Sequence, residues 1–171
     1  MNSMKDTSSL PGFDHSNLSM LVAAARRSVK HAVAPLLDPL DLTPLQAWMV
    51  LLVRESGTVS LTELASRMWL DHPTTSRLVH SLEERQILSI QQDPNHGRRI
   101  QISVHEAGAA FAETLFMASE TFRERMEQGL DQEKKRIFRE VIRQLLVNLG
   151  TMSAELPKRK GGFRSRDLES D

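Results

Sequence analysis

The chain has 171 residues, 40% of them apolar, which suits one globular domain with a core of its own. Lys plus Arg and Asp plus Glu each number 22, so net charge gives no argument for nucleic-acid binding, and the absence of cysteine excludes disulfides, thiol redox sensing and thiolate zinc sites. No long apolar run and no export signal is found, which predicts a soluble cytoplasmic protein that makes no use of a membrane.

Residues 1–16 are polar and aperiodic and read as a flexible N-terminal arm. Leu18, Leu21, Val22, Ala25, Val29, Ala32, Val33 and Leu36 recur at helical steps and predict an amphipathic helix within 17–41, ending near Pro35 to Pro39. Thr43-Pro44-Leu45-Gln46 is a capping box with proline at the first helical position, followed by Leu45, Trp48, Met49 and Leu52 on one predicted inward face. Ser60-Leu61-Thr62-Glu63 is a second box and opens a short helix carrying Leu64, Ala65 and Met68. Asp71-His72-Pro73 caps a further helix, predicted over 73–85, with Thr75, Leu78, Val79 and Leu82 inward.

From Leu88 the period becomes two. Leu88 and Ile90, then Ile100, Ile102 and Val104, alternate with polar residues and predict a β-hairpin whose tip is Asp93-Pro94-Asn95-His96-Gly97. Ser103-Val104-His105-Glu106 reads as a third box, opening a long helix with Phe111, Leu115, Ala118, Phe122 and Met126 along one side. After Gly129-Leu130-Asp131 a last helix carries Phe138, Val141, Ile142, Leu145 and Leu149, and 151–171 reads as a flexible basic tail.

The predicted fold is mainly α with a small β-hairpin: a winged helix-turn-helix over 42–104, flanked by dimerisation helices in 17–41 and 105–150. In that arrangement the helix after Asp71 enters the major groove of duplex DNA. Its inward stripe turns Thr74, Ser76, Arg77, His80 and Ser81 outward. Arginine can give two bonds to the O6 and N7 of guanine, and short hydroxyls reach bases or phosphates at low entropic cost. A plain solvated face carries the same residue types. The hairpin tip points to DNA, because Arg98-Arg99 directly after a turn can reach a narrow minor groove and a phosphate.

Leu42-Thr43-Pro44-Leu45-Gln46, Glu63-Leu64-Ala65, Arg77-Leu78-Val79, Asp93-Pro94-Asn95-His96-Gly97-Arg98-Arg99 and Glu106-Ala107-Gly108 follow one another in order. This stretch resembles the winged-helix core of the MarR (multiple-antibiotic-resistance regulator) family, and the flanking helices match that family's dimerisation layout. The resemblance implies a homodimeric repressor on a pseudo-palindromic operator, released by a small aromatic or phenolic effector bound between the dimerisation and DNA-binding parts. It implies base contacts around Pro73, Thr74 and Arg77, and a wing arginine, Arg98 or Arg99, in the minor groove. The sequence departs from the family pattern in three places. His96 stands where the family has a wing aspartate, Gln86 where it has a glycine, and His105 where it has a threonine. Gln86 should cost the preceding helix about 1 kcal/mol of cap stability, whereas Ser103 with Glu106 is expected to replace the missing threonine cap.

The six histidines lack the close spacing of a zinc site, so no metal is expected, and His72 and His80 read as DNA-facing residues. No cofactor motif, phosphate loop or nucleophile elbow is found, so no enzyme is predicted. Trp48 and Trp69 could line an effector cavity. A winged helix that binds protein rather than specific DNA is the alternative function.

Overall fold

The computed structural model describes residues 17–93 and 96–155, with side chains at all of these except 93, 96–98 and 151–155. The predicted N-terminal arm, the hairpin tip at Pro94-Asn95 and most of the basic tail lie outside the described residues. Helix α1 spans Leu18–Leu37, α2 Pro44–Ser56, α3 Leu61–Met68, α4 His72–Glu83, α5 Ala109–Met126 and α6 Gln132–Glu155. Short 3-10 turns at Asp38–Leu40 and Glu106–Gly108 precede α2 and α5. No single described helix is long and apolar enough to cross a membrane.

The helix starts follow local sequence. Thr43 Oγ1 accepts from the Gln46 N–H at 3.3 Å while Gln46 Oε1 accepts from the Thr43 N–H at 3.0 Å, completing the predicted box. Ser60 Oγ caps α3 through the Glu63 N–H at 3.2 Å, and Asp71 Oδ1 caps α4 through the Thr74 N–H at 2.7 Å. The third predicted cap is corrected. Ser103 lies in a strand, paired with Ser89 and Thr58, and His105 takes the cap with Nδ1 accepting from the Ala107 N–H at 3.1 Å.

The hairpin is larger than predicted. Strands β1 (Thr58–Ser60), β2 (Leu88–Asp93) and β3 (His96–Val104) form a three-stranded antiparallel sheet in the order β1-β3-β2. Strand β1 is too short to show a period and exists because Val59 pairs with Ile102. Val59, Leu88 and Ile102 then close the core with Met49, Val50, Val53, Leu64, Val79, Leu82 and Leu115.

Ile87 joins α4 to the sheet. Its carbonyl accepts from the His105 N–H at 3.0 Å, and its N–H donates to the Leu82 carbonyl at 2.9 Å. A Cβ on Gly108 would lie 2.6 Å from the Ile87 oxygen and 2.8 Å from its Cα. The glycine of Glu106-Ala107-Gly108 therefore serves close backbone approach rather than a turn. Gln86 has φ +53, the left-handed conformation that makes glycine the cheaper residue at that helix end.

Helix α2 is buried at Ala47, Met49, Val50, Leu52 and Val53, so the predicted inward Trp48 is corrected: it remains 46% exposed. Helix α1 buries only Leu37, and Leu18, Val22, Val29 and Leu36 of its apolar stripe stay exposed. The chain divides into two compact units, up to Met126 and from Glu127 onward. Taken by itself, the second unit is α6, led in by Asp131, whose Oδ1 accepts from the Lys134 N–H at 2.8 Å. Its Ile137, Phe138, Val141, Val147 and Leu149 are exposed.

Candidate nucleic-acid interface

Helix α4 turns Thr75, Val79 and Leu82 into the core, with the Thr75 hydroxyl satisfied by the Asp71 carbonyl at 2.8 Å. At 100° per residue this leaves Pro73, Arg77 and His80 on the opposite arc. Of the predicted contact residues, His72, Pro73, Arg77 and His80 are exposed, while Thr74 and Ser76 are half-buried. Ser81 differs from the prediction. Its hydroxyl accepts from Gln46 Nε2 at 3.2 Å and donates to the Leu78 carbonyl at 2.8 Å, so it faces α2 rather than open solvent.

Arg77 lies folded along the first turn. Its Nε donates to the Pro73 carbonyl and its Nη2 to Thr74 Oγ1, both at 3.3 Å. These are long bonds at an exposed site, so little holds the guanidinium back from a better acceptor. The Asp71 carboxyl is held below its ordinary value, first by the Thr74 N–H, then by the Thr74 hydroxyl and the nearby charges of Arg77 and His72. His80 Nδ1 lies 3.1 Å from Glu83 Oε2.

The start of α4 and the wing meet across an open groove of about 630 Å³, lined by His72, Arg99, Thr62, Ser66 and Arg67 among others. It brings the predicted His72 and Arg99 together, whereas the side chains of His96 and Arg98 lie outside the described residues. Thr62, Ser66 and Arg67 were missed by sequence reasoning; the only available signal was their polar positions opposite Leu64, Ala65 and Met68. Three donor-bearing elements therefore share one concave face: the start of α4, the polar side of α3 and β3.

A second cleft, of about 550 Å³, lies between α2 and α5, with Trp48, Arg54, Phe116 and Arg67 among its walls. The Arg54 guanidinium sits 3.7 Å from the Phe116 ring centroid and bonds Glu113 Oε2 at 2.7 Å. Arg67 Nη1 donates to Ser56 Oγ at 2.7 Å. Trp48 is thus placed at a cavity, and Trp69 is not part of this cleft.

Residues 40–99 match the family model described as MarR family. The organic hydroperoxide resistance transcriptional regulator of Bacillus subtilis (strain 168) is 28% identical over 105 residues, covering 59% of this chain and 71% of that protein. A mutant of MarR from E. coli, solved in complex with operator DNA, superposes with a TM-score of 0.65 at 18% identity, covering 75% of this chain and 93% of that one. NadR in complex with 4-hydroxyphenylacetate gives a TM-score of 0.66 at 20% identity, covering 78% of this chain and 94% of that one. The motifs and the family model agree on the same stretch, and over residues 40–99 the chain is similar to the MarR family.

Proposed function

We propose that this protein is a sequence-specific double-stranded-DNA-binding transcription regulator that acts in the cytoplasm as a homodimeric repressor on a pseudo-palindromic operator. One observation carries the reading: Pro73, Arg77 and His80 are exposed on α4, and the groove beside it joins His72 to Arg99 of the wing. A helix face with an exposed, weakly held guanidinium suits the major groove, and an arginine on strand β3 suits phosphate or the minor groove. The exposed apolar residues of α1 and those of α6 call for a cover, and a second copy supplies it on a two-fold axis, which matches a two-fold operator.

The cleft at Trp48, Arg54 and Phe116 is the candidate effector site. Its aromatic walls and guanidinium groups suit a small aromatic or phenolic acid, the class to which the 4-hydroxyphenylacetate bound by NadR belongs. Ligand there would bear on α2, which packs against α3, and on α5, which leads in sequence to α6.

Selection of bound sequences from random duplexes, followed by salt titration on the selected and on unrelated duplexes, tests the function. A DNA reader loses affinity steeply with salt and keeps a preference for the selected site. A winged helix that binds protein instead selects no sequence, and that outcome would overturn the proposal.

A further inference from the structure

Trp69 ends α3 in the left-handed conformation, with φ 57 and ψ 39, and its N–H is shared between the Ala65 and Ser66 carbonyls. The next N–H, of Leu70, bonds the Ala65 carbonyl at 2.9 Å and closes the turn as helix C-termini do around glycine. A Cβ makes that conformation costly, and for a bulky aromatic residue it is an outlier. The other non-glycine residues with positive φ among those described are Asp41 and Gln86, both polar. Trp69 also gains little from burial, since 65% of it is exposed. Neither the backbone turn nor the core accounts for an indole at this position.

Its place in the fold does. Trp69 lies in the turn between α3 and α4, two residues before Asp71, the cap of α4, and its neighbours His72 and Pro73 are exposed at the helix start. A recognition helix that reads bases from its N-terminal part brings the segment leading into it close to a sugar-phosphate strand bordering the groove. An exposed residue in a strained conformation next to a binding face is what results when the ligand, not the fold, supplies its contacts.

We propose that Trp69 is a DNA-backbone contact, with its indole face against a deoxyribose and its Nε1–H donating to a phosphate oxygen beside the recognition helix. Every nucleotide offers both groups, so the contact positions the helix and reads no base. The inference rests on the DNA-binding function proposed above, and its test separates the two.

The test compares Trp69→Gly and Trp69→Phe with wild type in denaturant stability, dimer mass and affinity for the selected and an unrelated duplex. Trp69→Gly should be at least as stable as wild type, because glycine takes the left-handed conformation at little cost. It should bind both duplexes about three- to tenfold more weakly, the net scale of one hydrogen bond lost at a solvent-exposed contact. The dependence on salt should stay nearly unchanged, because no cation is removed. Trp69→Phe, which keeps an apolar ring and loses the donor, should fall between them. Tryptophan emission of the wild type should shift on adding duplex, and that shift should shrink in both variants. Unchanged affinity in Trp69→Gly would overturn the proposal while leaving DNA binding intact. A less stable Trp69→Gly protein, or one that has lost the dimer, would assign the indole to the fold or the subunit interface and overturn it equally. Wild-type protein that binds no duplex would overturn the underlying function as well.

Discussion

Gln46 joins α2 to α4: its Nε2 donates to Ser81 Oγ at 3.2 Å, while its Oε1 completes the cap of α2. One side chain thus fixes a helix start and the flank of α4, the helix proposed to read DNA. Ser81→Ala should therefore cost about 1 kcal/mol of stability, the net value of a partly buried hydrogen bond, and leave base preference unchanged. Gln46→Ala should cost more, because it removes the bridge and half of the box together. Denaturant unfolding combined with duplex titration checks both, and a changed base preference in Ser81→Ala would return Ser81 to the DNA face.

Arg77→Ala should lower affinity for the selected site by about 1–3 kcal/mol and relax preference at one base position, as expected of an arginine that binds guanine through two bonds. Its bonds in the free protein are long and exposed, so stability should hardly change. Competition binding against single-base variants of the selected site measures the effect. Equal affinity and selectivity in the variant would remove Arg77 from the interface.

Gly108→Ala should destabilise the protein by about 2–3 kcal/mol, because the added methyl meets backbone atoms of Ile87 that cannot turn aside as a side chain would. The site lies where α4, β2 and the lead into α5 converge, so folding should suffer before any contact residue does. A thermal or denaturant midpoint equal to that of wild type would show that the loop at Ile87 yields at no cost.

The Asp71 carboxyl is held below its ordinary value of 3.8, chiefly by the Thr74 N–H. A carboxyl with a lower pKa folded than unfolded adds stability above the unfolded value and loses it as pH falls through the folded one. Asp71→Asn keeps an oxygen acceptor for the cap but has no charge to titrate. The stability advantage of wild type over Asp71→Asn should be present at neutral pH and shrink as acid protonates Asp71. Denaturation midpoints across the acid range test this, and a difference that did not vary with pH would mean that the charge plays no part.

Much of the fold was legible because its signals are local. Thr43, Ser60 and Asp71 each cap a backbone N–H three residues on, and the alternation from Leu88 to Val104 needs only its own period. Helix α4 and the hairpin after it followed from those elements in order. What the tertiary structure decided depends on partners distant in sequence. The short β1 exists because Val59 meets Ile102, and that sheet takes Ser103 away from the cap it was expected to make and leaves the cap to His105. Trp48 is exposed because α2 presents a wide arc to the core and leaves this residue outside it. Ser81 and Arg77 are both polar residues of α4, and only the position of Gln46 on a neighbouring helix separates the one bonded within the fold from the one left exposed. The groove joining His72 to Arg99 likewise needs α3 and β3 packed side by side. A capping hydrogen bond closes within one turn of chain, whereas the face a side chain shows to solvent is settled by whatever packs against the other face.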